Sequence, residues 1–70
     1  MLPFQHIYGY TLFPGAYEVS SKWIGFVRIH DGTGKVQCQP TADHYDTEHA
    51  ASVAAAIDAA GIANAIRAMG

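Results

Sequence analysis

Charged residues are scarce in this sequence, and neither sign of charge dominates. Four lysine and arginine residues stand against six aspartate and glutamate residues among 70, which gives a formal net charge of −2 at pH 7. A disordered polyanion and a strongly basic nucleic-acid-binding protein both need a larger imbalance of charge. The composition therefore argues against both of these protein classes.

Cysteine and large aliphatic side chains are also few. Cys38 is the only cysteine, which excludes a disulfide within the chain. Leu, Ile, Val and Phe together make up 15 residues, whereas alanine alone accounts for 12. A chain this short buries only about 60 % of its unfolded surface, so its fold is marginal unless a metal or a partner chain contributes. We predict one domain over residues 1–70, with a thin core.

Neither a targeting signal nor a long apolar run is evident. Residues 1–6 contain no basic segment and no extended apolar segment of the kind that begins a secretory signal. The alanine-rich stretch from Ala50 to Met69 is interrupted by polar and charged residues that a bilayer penalises. We therefore predict a soluble helix, no membrane partner and a cytoplasmic location, with which a single unpaired thiol agrees.

The chain changes character near Asp46. Aromatic and β-branched residues are concentrated before it, and ten of the twelve alanines follow it. The first part predicts strands at about residues 6–13, 22–30 and 35–39. A turn is expected at Pro14-Gly15, and the two glycines of residues 31–34 predict a hairpin loop. Residues 16–22 fit either an extension of the second strand or a long connection.

A helix is predicted from about residue 47 to residue 60. Asp46 or Thr47 can accept a hydrogen bond from a free amide of the first turn, and Glu48 places a negative charge at the positive end of the helix dipole. Five apolar residues form one stripe along this helix: Ala50, Val53, Ala54, Ile57 and Ala60. We expect this stripe to pack on the sheet.

Three further apolar residues lie nearly opposite that stripe: Ile62, Ile66 and Met69. One straight helix cannot bury both sides against one sheet. We therefore predict that the helix is broken or kinked near Gly61, with a continuation or a second short helix over residues 62–69. This segment either folds back onto its own sheet or presents an apolar face to another subunit.

The predicted elements define an α+β fold in which a three-stranded antiparallel sheet is followed by a C-terminal helix packed on one face (β-β-β-α). Alternation along the second strand places Trp23, Gly25, Val27 and Ile29 on the side better suited to the core. Ile24 and Phe26 fall on the other side, with Arg28 and His30. That side is therefore expected to be partly covered by another element or another chain.

The order of these signals resembles that of small bacterial β-β-β-α domains, many of which are uncharacterised. The resemblance rests on the following residues: Tyr8-Gly9-Tyr10, Phe13-Pro14, Trp23-x-Gly25, Tyr45-Asp46-Thr47 and Ala50. It spans about residues 7 to 60. The resemblance implies the same fold and a bacterial source, and it assigns no functional residue.

Four histidines and one cysteine are the residues that could hold a metal or carry out catalysis. His44 and His49 are five residues apart across the helix start, which does not place them on one helix face. No C-x-x-C or H-x-x-x-H pair is present. Cys38 shares a strand face with Val36 and is interpreted as a small buried hydrophobe. We predict no metal site, no cofactor and no enzymatic activity.

Association explains the sparse core and the leftover apolar surface. We predict a non-enzymatic protein-interaction module that forms a homodimer or binds another protein, with Ile62, Ile66 and Met69 as the self-association residues. The alternative is a small nucleic-acid-binding regulatory domain that uses the hairpin of residues 22–35. Its candidate partner or nucleic-acid surface consists of six residues: Lys22, Trp23, Phe26, Arg28, His30 and Lys35.

Overall fold

The computed structural model describes residues 5–69. Four strands precede one helix: β1 (Gln5–Ile7), β2 (Tyr10–Val19), β3 (Lys22–His30), β4 (Val36–Tyr45) and α1 (Glu48–Met69). The strands form one antiparallel sheet in chain order, and α1 packs against all four. The predicted α+β fold with a C-terminal helix is confirmed. The predicted count of three strands is wrong, because the sheet has four.

The additional strand arises from a turn at Tyr8-Gly9, within the segment predicted to be a single strand. The φ angles of Tyr8 and Gly9 are 48° and 84°, and the flanking residues Ile7 and Tyr10 are paired. Two successive residues with positive φ are the signature of the type I′ hairpin turn. Tyrosine rarely adopts this conformation, so this turn could not be predicted from residue type.

The turn predicted at Pro14-Gly15 is also wrong, because β2 continues through both residues. Pro14 lies beyond the three residues of β2 that pair with β1, so its missing N–H removes no bond on that side. Gly15 faces Phe26 across the strands, and a Cβ at this position would lie 2.7 Å from Cζ of the Phe26 ring. The absence of a side chain at Gly15 therefore leaves room for the Phe26 ring over β2.

Residues 16–22 form neither a backward extension of the predicted second strand nor a long connection, because residues 16–19 complete β2, a turn follows at 20–21, and β3 begins at Lys22. β2 runs to Val19, which pairs with Lys22. The two residues between them, Ser20 and Ser21, have φ angles of 51° and 68°. This second tight turn fixes the register of the central β2–β3 pair.

The hairpin predicted at residues 31–34 is confirmed, and Asp31 organises it. One carboxylate oxygen of Asp31 accepts hydrogen bonds from the Thr33 amide at 2.8 Å, the Thr33 hydroxyl at 2.7 Å and the Lys35 amide at 3.0 Å. These bonds, chiefly those from Thr33, lower the pKa of Asp31 below its ordinary value of 3.8. The strand that follows is longer than the predicted 35–39, since β4 extends through Pro40 to Tyr45.

Thr47 caps α1, as one of the two predicted candidates. Its side-chain oxygen accepts a hydrogen bond from the Ala50 amide at 3.1 Å. The other candidate, Asp46, instead forms an ion pair with Lys22. The predicted break or kink at Gly61 is not seen, because α1 is one continuous helix from Glu48 to Met69.

The helix face that packs on the sheet is opposite to the predicted one. Val53 is 41 % exposed and Ile57 is 66 % exposed, so neither belongs to the core. The core consists of seven residues: Leu12, Val27, Ala51, Ala55, Ala59, Ala63 and Ile66. Among these, Leu12 and Val27 are the only large side chains that are fully buried.

Close approach of backbones explains why the alanine side of α1 faces the sheet. A Cβ at Gly25 would overlap the carbonyl oxygen of Ala51 and would lie 2.9 Å from Cγ2 of Thr41. The helix therefore sits against the backbone of β3, and only small residues can line that contact. Thr41 is buried beside it, where its hydroxyl accepts a hydrogen bond from the Gly25 amide at 3.2 Å.

Candidate functional site

The sheet has one side that no described helix or strand covers. We call this side of β2, β3 and β4, which faces away from α1, the open sheet face. Strand alternation places the following residues on it: Thr11, Phe13, Gly15, Tyr17, Val19, Ile24, Phe26, Arg28, His30, Val36, Cys38 and Pro40. The expectation that Ile24 and Phe26 point away from the core is confirmed.

The aromatic layer of the open sheet face consists of two pairs of rings in contact. The Tyr17 and Phe26 ring centroids are 5.8 Å apart with an interplanar angle of 50°. Phe13 and His30 meet edge to face, with centroids 5.0 Å apart. Cζ of Arg28 lies 5.9 Å from the Phe26 centroid, within the range of a cation–π contact. The two ring pairs share one side of the sheet, and Arg28, which pairs with Phe13 across the strands and lies over Phe26, stands between them.

Much of this layer remains accessible to solvent. Tyr17 is 44 % exposed and Val19 is 43 % exposed, while Ile24 and Phe26 are half-buried by their neighbours. Cys38 is exposed on the same face, so the interpretation of Cys38 as a buried hydrophobe is wrong. The free edge position of β4 explains this exposure, since no strand of the described chain lies beyond it.

The charge on the open sheet face is positive. Arg28 lies on it, and no aspartate or glutamate occupies the strand positions that face this side. Lys22 lies at one end, where it donates a hydrogen bond to Asp46. This hydrogen bond, together with the positive charge of Lys22, lowers the pKa of Asp46 below its ordinary value.

The structure separates the six residues predicted as a partner or nucleic-acid surface. Phe26, Arg28 and His30 lie together on the open sheet face. Trp23 lies on the opposite side of β3, where it pairs with Tyr45 and Glu18. Lys22 is engaged by Asp46, and Lys35 precedes β4 at the hairpin. The sequence analysis missed Tyr17, because its position depends on the turn that joins β2 to β3.

The residues predicted for self-association differ in their accessibility. Ile66 is only 7 % exposed and belongs to the core of its own chain, and Ile62 packs against that core. Met69 is 77 % exposed. The first two residues are thus engaged within the chain, and association through this set stays a prediction.

A groove of about 470 Å³ lies between β4 and the neighbouring flank of α1. We call it the β4–α1 groove. Pro40 and Ala42 line it from the strand, and Ile57, Gly61 and Ala65 line it from the helix. Ile62, Gln39 and Asp58 complete the lining, and Asp58 is the charged residue among them.

Two further observations concern metal binding and membranes. In residues 5–69, no three His, Cys, Asp or Glu side chains lie close enough together to hold a metal ion. By length and composition alone, α1 is apolar enough to cross a membrane, a test that the core helix of a soluble protein also passes. In this structure its alanine side packs against the sheet.

These features define a small α+β domain in which a four-stranded antiparallel sheet carries a helix on one side and an aromatic layer on the other. No family model, curated protein or solved structure matches the chain. The resemblance to small bacterial β-β-β-α domains therefore stays a prediction.

Proposed function

We propose that the chain is a small non-enzymatic protein-interaction module that self-associates through its open sheet face. The observation that carries the proposal is the aromatic layer around Tyr17 and Phe26, which no described helix or strand covers. Contiguous exposed apolar surface of this kind is typical of protein interaction sites. Self-association is thus assigned to a surface other than the predicted residues Ile62, Ile66 and Met69.

The thinness of the core supports this proposal. Within residues 5–69, only Leu12 and Val27 are large side chains with full burial, and four of the other core residues are alanines. Full burial of a Leu or Val side chain contributes about 1.5–3 kcal/mol, whereas alanine contributes much less. A second copy that covers Tyr17, Val19 and Ile24 would add the large apolar contacts that one copy lacks.

The geometry of the open sheet face suits a second copy. Two sheets pack face to face at a separation of about 10 Å, with the side chains of each sheet interdigitating. A two-fold axis through the layer brings the same residues of both copies together, as symmetric dimers require. Arg28 is exposed and no carboxylate of the face pairs with it, so its guanidinium has to stay hydrated at the rim of this contact.

Measurement of molar mass by light scattering over a range of protein concentrations and salt concentrations tests the proposal. The unmodified chain is expected to show a mass near twice 7.5 kDa that salt does not change. Tyr17→Glu places a charge in the layer and is expected to give the monomer mass with an unchanged circular dichroism spectrum. Val53→Glu is the control, because Val53 is exposed on the outer side of α1. A monomeric unmodified chain, or a dimer that survives Tyr17→Glu, contradicts the proposal.

Binding of single-stranded nucleic acid is a second candidate function, and the charge on the open sheet face favours it. Bases can stack on an aromatic ring, and a neighbouring arginine can neutralise a phosphate. Phe26 and Arg28 supply both groups, and no carboxylate shares the face. This surface differs from the predicted hairpin surface, because Tyr17 replaces Trp23 as an aromatic contact.

Fluorescence anisotropy with labelled single-stranded DNA and RNA at low salt separates the two functions. If the second candidate is correct, binding weakens as salt rises and is lost in Arg28→Glu. Lys35→Glu is the matched control, since Lys35 lies outside the aromatic layer. Absence of binding by the unmodified chain at low salt removes this candidate.

The proposal also includes the absence of catalysis and a location in the cytoplasm. The free thiol of Cys38 supports a reducing compartment. Fractionation of cells that express the full chain tests the location.

A further inference from the structure

Gly61 occupies a position in α1 that nothing within the described chain explains. Glycine inside a helix costs about 1 kcal/mol relative to alanine. Gly61 needs no unusual backbone conformation, because it lies within a continuous helix. A Cβ built on Gly61 would meet no atom within 4 Å. Neither a steric constraint nor a turn therefore accounts for the missing side chain.

The missing side chain does shape the β4–α1 groove. Gly61 lies in the middle of the helical wall, one turn from Ile57 and one turn from Ala65. The opposite wall is formed by Pro40 and Ala42, two small apolar residues. A glycine at the centre of the helical wall widens the groove at this point, and an entering side chain could contact the helix backbone there.

The strand beside the groove has a free edge. β4 is the last strand of the sheet and pairs only with β3 within residues 5–69, so its outer backbone groups have no strand partner there. An extended segment can add to such an edge through main-chain hydrogen bonds and place alternate side chains in an adjacent groove. Pro40 has no N–H to donate, which limits the pairing to a short segment.

Charge around the groove selects the chemistry of the segment. Asp58 is the one charged residue among those that line the groove. None of the four lysine and arginine residues lines the groove. Arg28 is on the open sheet face, and Arg67 donates a hydrogen bond to Asn64. A cationic segment therefore complements this surface, and an anionic one does not.

We propose that the β4–α1 groove binds a short extended segment of another protein, in which an apolar side chain enters beside Gly61 and a neighbouring Lys or Arg residue faces Asp58. This binding does not rest on self-association, because Pro40 alone among the groove residues belongs to the open sheet face. The module would thus bind two different partners: a cationic segment in the groove and a second copy of the chain on the open sheet face.

The test measures fluorescence polarisation of a labelled short peptide of alternating lysine and valine with blocked ends. A peptide of alternating glutamate and valine is the charge control. Gly61→Leu places a large side chain in the groove. Ala60→Leu introduces the same side chain one residue away, at an exposed position that does not line the groove. Circular dichroism of both variants verifies that the helix forms, and leucine favours a helix more than glycine does.

We expect the unmodified chain and Ala60→Leu to bind the lysine peptide equally and to prefer it to the glutamate peptide. Gly61→Leu is expected to weaken this binding by at least about tenfold, the loss of roughly 1.4 kcal/mol. Asp58→Lys is expected to weaken binding and to reduce its dependence on salt. Failure of the unmodified chain to prefer the lysine peptide overturns the proposal, as does equal binding by Gly61→Leu and Ala60→Leu.

Light scattering on Gly61→Leu separates this proposal from self-association. An unchanged molar mass is the expected result, because the open sheet face is intact in this variant. A change from dimer to monomer would show that a second copy occupies the groove, which overturns the proposal. Failure of Tyr17→Glu to dissociate a dimer would instead contradict the proposed function and leave the peptide result unaffected.

Discussion

The carbonyl oxygen of Ala51 occupies the space that a side chain at Gly25 would need. A Cβ at Gly25 would overlap that oxygen, so β3 and the first turns of α1 are in contact through their backbones. Thr41 closes the contact from β4, with its hydroxyl hydrogen-bonded to the Gly25 amide at 3.2 Å. This contact determines which side of α1 faces the sheet.

Gly25→Ala should therefore destabilise the fold strongly. Overpacking of a tight interior typically costs about 1–3 kcal/mol, and here the obstructing atom is backbone, which cannot rotate away. Urea unfolding followed by circular dichroism measures the loss. Gly32→Ala is the matched control, because its Cβ would meet only ordinary van der Waals contact at 3.8 Å. Equal stability of the two variants would show that α1 does not lie this close to β3.

Gly61→Ala should have the opposite effect. The added methyl group enters open space, and alanine has the higher helix propensity, so the free energy of unfolding should rise by about 1 kcal/mol. The same urea titration measures this gain. A lower stability would mean that the helix is not continuous through Gly61.

Asp31→Asn should lower stability at neutral pH and have less effect in acid. The native pKa of Asp31 lies below the ordinary 3.8, because the carboxylate accepts hydrogen bonds from Thr33 and from the Lys35 amide. A lowered native pKa gives stability that is complete above 3.8 and is lost as the pH falls through the native value. Thermal unfolding of both proteins between neutral and acidic pH measures the difference. A difference that stays constant with pH would contradict the role assigned to the carboxylate.

Ile66→Ala should destabilise the monomer rather than merely dissociate an assembly. Ile66 is 7 % exposed within the core, and truncation of a buried isoleucine to alanine costs about 2–5 kcal/mol. Met69→Ala is the control and should change stability very little, since Met69 is 77 % exposed. The free energies of unfolding should be measured at a concentration low enough to keep the chain monomeric. A variant that loses its dimer mass at unchanged monomer stability would return Ile66 to the interface.

Features that depend on neighbouring residues could be predicted from the sequence. The Thr47 cap follows from a hydroxyl placed before a run of helix-forming residues, and the hairpin at Asp31 follows from a carboxylate followed by two glycines. Both are confirmed by local hydrogen bonds. The alternation of β3 was also correct, because Val27 is buried while Phe26 and Arg28 face the other side.

Features that depend on tertiary contacts could not be predicted. Helical periodicity shows two apolar sides on α1, and hydrophobicity alone favours Val53 and Ile57. The alanine side of α1 faces the sheet because Gly25 has no side chain and lets the helix backbone approach β3 closely. Only small residues such as Ala51 fit in so close a contact. The helix sequence shows a stripe of alanines at Ala51, Ala55, Ala59 and Ala63, but it does not show that Gly25 lies against that stripe.

The contribution of β2 to the open sheet face was missed for a different reason. Its register depends on the turn at Ser20 and Ser21, and serine is uncommon at positive φ. Without that turn, Tyr17 cannot be placed opposite Ile24. Strand alternation predicts which residues of one strand share a side. Which residues of two neighbouring strands lie opposite each other depends on the turn between them.

The order of the strands also has consequences for how quickly the chain reaches its native state. Each strand pairs with the one that precedes it in sequence, and α1 follows the completed sheet. Contacts between near neighbours in sequence close short loops, which lowers the entropic barrier and speeds folding. The central β2–β3 hairpin has the tightest connection between long strands and is the natural nucleus. Chain growth in a ribosome would release the strands in the order in which they pair, with the helix last to cover them.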